Sequence, residues 1–183
     1  MKTWVKELGA CREALKWAND YESLKEAWGI CERGDWMLWL AGKLSGRPGS
    51  EKRKTLVLAA CQCVRLSLKY VKEGETRPLT AIETAEAWAK GDSNISLEDV
   101  KNAAAASYNA AYAAYAAYAA YAAYAAYAAY AAAYAAYAAY AAAYAACAAY
   151  DAYAAAYARK SILKQCADIV RKYYPEAPKL KGR

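Results

Sequence analysis

Apolar residues recur three and four positions apart through the first hundred residues, which is the spacing of one face of an α-helix. The pattern predicts helices over 3–17, 22–33, 36–44, 50–71 and 79–90. Ser96, with Asp99 three residues later as a short capping box, marks the start of a further helix. No segment alternates with a period of two for long, so the sequence predicts no β-strand.

The turn between the second and third predicted helices contains Gly34 and Asp35. We expect Gly34 to end one helix and Asp35 to cap the next, because these residue types are common at those two positions. Residues 36–44 are nearly all apolar, so this short helix is expected to lie in the core. Ser50 is an expected N-cap for the helix that follows.

An alanine and tyrosine array occupies the C-terminal half of the chain. From Tyr108 to Tyr157 there are 15 tyrosines, almost all separated by alanine pairs, and Cys147 fills one tyrosine position. When Cys147 is counted as one of these positions, the mean spacing between neighbouring positions is about 3.27 residues. On an α-helix each three-residue step falls 60° short of a full turn, so six such steps from Tyr112 to Tyr130 would carry the tyrosines around every side of the helix.

Two conformations of the array remain open. A 3₁₀-helix has three residues per turn, so an extended 3₁₀ segment over much of 112–130 would align the tyrosines along one edge. Alanine is the strongest α-helix former, which favours an α-helix with its tyrosines spread around it. The residues of the candidate tyrosine edge are Tyr112, Tyr115, Tyr118, Tyr121, Tyr124, Tyr127, Tyr130, Tyr134, Tyr137, Tyr140 and Tyr144.

The role of the array has three interpretations. It is a structural core or spacer, a binding edge that drives homo-oligomer formation or self-assembly, or a tolerated expansion of a triplet repeat. The overall prediction is an all-α, single-domain helical bundle over 1–175, packed around one long alanine and tyrosine helix. Its parts are amphipathic helices over 1–102, the array helix over 103–158 and a C-terminal helix over 159–175, followed by a basic tail at 176–183.

Charge and composition bear on nucleic-acid binding, membrane insertion and cellular location. The net charge is +7, but outside the tail the Lys and Arg residues are mixed with acidic ones, which argues against a nucleic-acid partner. The array is nearly uncharged but lacks Leu, Ile and Val, so no membrane span is predicted. The first residues contain no apolar signal-peptide core, which predicts a cytoplasmic location.

Catalytic and metal-binding chemistry finds no support in the sequence. There is no His, and no P-loop, dinucleotide-binding or nucleophile-elbow motif. The six cysteines form no CxxC pair and lie among apolar residues at helical spacing, so we expect buried free thiols. The sequence therefore predicts a protein that is not an enzyme and has no catalytic residue, metal or cofactor.

Two groups of residues are candidates for binding a partner protein. The first is the turn containing Glu32, Arg33, Asp35 and Trp36, because Trp and Arg contribute strongly to protein interfaces. Its structural alternative is a turn in which Asp35 caps a helix, Arg33 forms an ion pair, and Trp36 and the following Trp39 are buried.

The second group is Glu83 and Glu86, which lie three residues apart on a predicted helix. Their alternative is a helix face that is solvated or paired with Arg.

Seven segments outside the array fit one pattern, namely ACREAL at 10–15, EAW at 26–28, CERGDWMLWL at 31–40, LAAC at 58–61, RP at 77–78, AIETAEAW at 81–88 and CADIVR at 166–171. Together they resemble the immunity proteins of bacterial polymorphic-toxin loci. The resemblance covers about 4–102 and 159–175. Members of that family carry an Ala-rich insert studded with Asp, Tyr and Arg, whereas this insert is almost purely Ala and Tyr. The resemblance implies a protein that binds and neutralises a toxin, and it supplies no catalytic residues.

Overall fold

Seven α-helices and one short 3₁₀ turn form the described part of the chain. The computed structural model describes residues 8–47, 49–71, 73–116 and 156–179. The helices are α1 (Arg12–Ala18), α2 (Leu24–Ile30), α3 (Gly34–Leu44), α4 (Glu51–Arg65), α5 (Arg77–Lys90), α6 (Leu97–Ala116) and α7 (Ala156–Tyr173), with the 3₁₀ turn at Leu68–Tyr70. These residues contain no β-strand, so the all-α prediction is confirmed for them.

Helix boundaries follow the predicted capping signals at several sites. The Ser50 hydroxyl accepts a hydrogen bond from the Arg53 amide at the start of α4. At the start of α6, the Ser96 amide donates to the Asp99 carboxylate at 2.8 Å and the Asp99 amide donates to the Ser96 hydroxyl at 3.2 Å. Gly91 ends α5 in the left-handed conformation at φ 89°. Ser50 and the Ser96–Asp99 capping box therefore act as predicted, and α5 ends at the predicted residue, Lys90.

The first predicted helix is shorter than expected, since α1 begins only at Arg12 and residues 8–11 lie outside any helix. The predicted helix 50–71 likewise ends early, at Arg65. It is followed by the 3₁₀ turn that ends at Tyr70.

Helix α4 lies at the centre of the described bundle. It packs against α3, α5 and α7, whereas α6 packs on α5. Its side chains at Leu56, Val57 and Ala60 are fully buried. They belong to a core that also contains Met37, Leu38, Ile82, Val100 and Val170. Within the described residues, the bundle is thus organised around α4. The predicted packing around the alanine and tyrosine helix falls mostly on residues outside the described ranges.

The tyrosine array enters the description only at its two ends. Residues 103–116 belong to α6 and residues 156–158 to α7. The backbone at 112–116 is α-helical, so the predicted 3₁₀ segment is not observed where it would begin. The rest of that segment, 117–130, lies outside the described residues, as does the proposed continuity of one helix over 103–158.

Candidate functional site

The turn between α2 and α3 lies directly on α7. The Arg171 guanidinium donates through Nη1 to the carbonyl oxygens of Trp28 at 3.2 Å and Cys31 at 2.8 Å. The Trp28 indole nitrogen donates to the Tyr174 carbonyl at 3.0 Å. The α2 end of the turn is therefore held by hydrogen bonds to α7 and to the residue that follows it.

Gly34 has a different role from the predicted one. It is the first residue of α3 and does not end α2. A Cβ at this position would lie 2.4 Å from the Cβ of Cys166 and 2.6 Å from the amide nitrogen of Ala167. A glycine is required here because the backbones of α3 and α7 approach too closely for any side chain.

Asp35 pairs with Arg33 and does not cap α3. The Arg33 Nε donates to Oδ1 at 2.8 Å and Nη2 lies 2.5 Å from Oδ2, while no side chain caps the helix. Asp35 is buried in the first turn of α3, where the helix dipole favours a negative charge. The prediction that Asp35 is an N-cap is therefore wrong, whereas the ion pair expected of Arg33 is observed.

An aromatic cluster surrounds this ion pair. The Arg33 guanidinium carbon lies 4.1 Å from the centre of the Trp36 ring, a cation–π contact. The ring centres of Trp36 and Trp17 are 5.6 Å apart, and those of Trp17 and Tyr21 are 4.7 Å apart. Trp17, Tyr21 and Trp36 are all only half-buried. The cluster thus presents aromatic and cationic surface at the outside of the molecule.

Two open clefts flank Trp36, each with a volume of about 530–540 Å³. The first is lined by Trp17, Tyr21, Ile30, Glu32, Arg33, Trp36, Lys160 and Leu163. The second lies on the side of Cys11, Asp35 and Trp39. Ile30, at 54% exposure, is one of the two most exposed large apolar side chains described. We refer to Trp17, Tyr21, Ile30, Arg33 and Trp36 together as the Trp36 surface.

Glu32 lies at the edge of the Trp36 surface. Its carboxylate accepts a hydrogen bond from the Lys164 ammonium of α7 at 2.9 Å, and Lys160 lies nearby in the same cleft. The hydrogen bond and charge of Lys164 lower the pKa of Glu32. Four predicted binding residues, Glu32, Arg33, Asp35 and Trp36, are thus brought together, although Asp35 is buried beneath the others.

Glu86 lies elsewhere and is buried. Arg65 donates to its two oxygens through Nε and Nη2, each at 2.9 Å, and Gln62 donates at 3.0 Å. These hydrogen bonds, that of Arg65 foremost, lower the pKa of Glu86 despite its burial. Glu86 is therefore the Arg-paired structural residue of the alternative interpretation.

Glu83, three residues before Glu86 on α5, is exposed, so the two carboxylates do not face the same environment. Both residues lie on α5, which packs mainly against α4 and α6. The Trp36 surface lies on α1, α2, α3 and the turns beside them. The structure therefore separates Glu83 and Glu86 from the Trp36 surface.

Four of the five described cysteines are buried free thiols, namely Cys31, Cys61, Cys63 and Cys166. Burial raises the pKa of Cys31 to about 11 and raises that of Cys61 further. Cys11 is exposed, because it precedes α1 and does not lie on the buried face of a longer helix, so its predicted burial is wrong. Cys147 lies outside the described residues. No group of three metal-ligating side chains occurs in the described ranges.

The tyrosine edge is almost wholly outside the described residues. Only Tyr112 and Tyr115 of its eleven members fall within α6. Because the backbone there is α-helical, the three-residue step places them about 60° apart around the helix axis. No helix in the described ranges is long and apolar enough to cross a membrane.

Three members of the Trp36 surface are not among the binding residues predicted from the sequence, namely Trp17, Tyr21 and Ile30. Trp17 and Tyr21 are four residues apart, the spacing of side-chain neighbours on a helix, which was the one available signal. Tyr21 lies beyond the end of α1, so helical spacing alone does not predict its contact with Trp17.

No family model, curated protein or solved structure matches this chain.

Proposed function

We propose that this chain is an immunity protein that binds and neutralises a bacterial toxin, and that the Trp36 surface is its contact with the toxin. The observation that carries the proposal is the half-buried pair of Trp17 and Trp36, with Arg33 against the Trp36 ring, between two open clefts. Trp, Tyr and Arg are the residues in which interface binding energy concentrates. The immunity-protein resemblance supports a toxin as the partner.

The rigidity of the Trp36 surface supports a binding role. The Nε and Nη2 atoms of Arg33 both donate hydrogen bonds to the Asp35 carboxylate, and the Trp36 ring covers the guanidinium. The turn that carries Arg33 is held by Arg171 and by the close contact of Gly34 with α7. A side chain already fixed in one conformation loses less entropy when a partner binds. The surface is therefore organised before binding.

The chemistry of the clefts indicates the kind of partner surface that would fit. Ile30 is apolar and exposed, while Glu32 and Lys160 place both signs of charge along the same cleft. A complementary surface would cover Ile30 with an apolar side chain and meet the rim with mixed charges. This pattern of apolar centre and polar rim is typical of protein interfaces.

The test is co-purification of the full chain with the toxin encoded beside its gene, together with growth of cells that express the toxin. The proposal expects a stable complex at micromolar concentration and rescue of growth. Absence of a complex at that concentration, with cells still dying, would refute it. Rescue without a complex would refute the binding mechanism.

A further inference from the structure

Arg53 is a buried cation without a counterion among the described residues. Its side chain is 3% exposed, and Nη2 donates to the Gly46 carbonyl at 2.6 Å. The Nε and Nη1 atoms are buried and have no hydrogen-bond partner in the described structure. The nearest acidic side chain in sequence, Glu51, is turned to solvent and paired with Lys54 at 3.0 Å.

An unpaired guanidinium in a protein interior is unfavourable. Arginine remains protonated at any physiological pH, so it cannot escape the cost of burial by losing its proton. Buried charges in proteins are normally paired, because transfer of an ion from water carries a large desolvation penalty. The three N–H bonds on Nε and Nη1 therefore call for an acceptor, and an anion would also neutralise the charge.

The position of Arg53 in α4 adds further donors. Arg53 is the third residue of a 15-residue helix, and helical side chains lean toward the helix N-terminus. Its bond to Gly46 places the guanidinium against the residues that lead into α4. The first amide groups of a helix lack intrahelical acceptors and lie at the positive end of the helix dipole. Five basic residues and one acidic residue lie between 43 and 54, so the segment has a net positive charge that favours an anion.

We propose that the N-terminus of α4 binds a phosphate group, with the Arg53 side chain and the backbone amides of Glu51 and Lys52 as its donors. The Arg53 amide is not among them, because it already donates to Ser50. Tetrahedral phosphate oxygens accept hydrogen bonds from several directions, which suits a guanidinium and a helix N-terminus together. Arg53 makes one side-chain hydrogen bond in the described structure, from Nη2 to the Gly46 carbonyl, which leaves the three N–H bonds of Nε and Nη1 for phosphate oxygens. This site is separate from the Trp36 surface, which lies on α1, α2, α3 and the turns between them.

Calorimetric titration of the full chain with inorganic phosphate tests the proposal. Chloride is exchanged for phosphate at constant ionic strength, and glycerol phosphate is titrated in parallel to distinguish a free ion from a phosphate ester. We expect saturable binding of at least one of them, with a dissociation constant below about 1 mM, as several charge-assisted hydrogen bonds would give. Absence of saturable binding of either ligand would overturn the proposal.

The matched variants are Arg53→Met and Lys52→Met. Lys52 is exposed at the same helix end, so its loss removes an equal charge without touching the buried guanidinium. Arg53→Met should weaken binding at least about tenfold, whereas Lys52→Met should change it less than about threefold. Equal losses in the two variants would show non-specific attraction and would contradict the proposal.

A stability measurement separates ligand binding from a purely structural role of Arg53. Because Arg53→Met removes an unpaired buried charge, its melting temperature without phosphate should equal or exceed that of the unaltered chain. A lower melting temperature combined with unchanged phosphate binding would contradict the proposal. Should Arg53→Met fail to fold, Arg53→Lys keeps the charge and loses the fork of donors, and it should also bind phosphate at least about tenfold more weakly.

Discussion

Gly34 and Cys166 are in such close contact that a Cβ at residue 34 would stand 2.4 Å from the Cβ of Cys166. The two residues are 132 positions apart in the chain and join the start of α3 to the middle of α7. This contact fixes the start of α3, with Arg33 just before it and Trp36 in its first turn. The geometry of the Trp36 surface therefore depends on the last helix as well as on the first three.

Gly34→Ala should destabilise the protein by about 3 kcal/mol, because the new methyl group forces α3 and α7 apart. Urea unfolding followed by circular dichroism measures the change. Gly29→Ala is the matched control, since no atom lies within 4 Å of a Cβ at that helical position. It should be neutral or more stable by about 0.5–1 kcal/mol. Equal stability of the two variants would show that the close approach is absent.

Glu86→Gln should cost on the order of 2 kcal/mol, because it leaves Arg65 without its charged partner. The cost is moderated by the partial exposure of the Arg65 side chain, at 32%. Thermal unfolding at pH 7 gives the value. Glu83→Gln, three residues away on the exposed face, should leave the stability unchanged. A loss at Glu83 equal to that at Glu86 would contradict the assignment of the ion pair.

Stability should fall in acid partly through Glu86. Its pKa is lower in the folded protein than the ordinary value of 4.5, mainly because Arg65 donates hydrogen bonds to the carboxylate. The unfolded chain therefore binds protons more readily, and the stabilisation present above pH 4.5 is lost as the pH falls through the folded pKa. Unfolding free energies measured from pH 7 to pH 3 should decline less steeply in Glu86→Gln. Parallel curves would contradict this role.

Ser96→Ala should cost about 1 kcal/mol, because the Asp99 amide loses its acceptor at the start of α6. Urea unfolding provides the measurement. Ser161→Ala, on the exposed face of α7, provides a serine control away from any helix cap. No difference between the two variants would argue against the capping box.

Thiol reactivity should distinguish Cys11 from the buried cysteines. Alkylation of the native protein at pH 8, followed by peptide mass spectrometry, should modify Cys11 well before Cys31, Cys61, Cys63 and Cys166. Cys31 is unreactive because its pKa of about 11 leaves little thiolate at that pH, and because its sulfur is buried. Modification of Cys63 as fast as Cys11 would contradict the packing of α4 against α7.

Local signals were sufficient for much of the fold. The Ser96–Asp99 capping box and Gly91 depend only on residues within one turn, and the apolar face of α4 follows from its own spacing. Gly34 was misassigned because a glycine before an Asp has the local appearance of a helix end. The true constraint is Cys166 on a distant helix, which no local pattern reveals.

The candidate site was predicted in part for the same reason. Glu32, Arg33 and Trp36 are near each other in sequence, so their proximity was foreseeable. The contact of Trp17 with Trp36 and the cleft lined by Lys160 arise from the packing of separate helices. Glu83 and Glu86 share a helix, but the Arg65 that pairs with Glu86 lies on α4. The spacing of the two carboxylates therefore does not reveal that Glu86 is buried and paired whereas Glu83 is exposed.

Calorimetric titration of the proposed partner, a toxin that we expect the neighbouring gene to encode, into Ile30→Asp and Asn102→Asp chains tests the central claim most directly. Both variants add one negative charge at an exposed position, but only Ile30 lies on the Trp36 surface, whereas Asn102 lies on α6. We expect Ile30→Asp to weaken toxin binding at least about tenfold, because a carboxylate would be desolvated at the interface, with Asn102→Asp unchanged. Undiminished binding by Ile30→Asp, or an equal loss in both variants, would contradict the account.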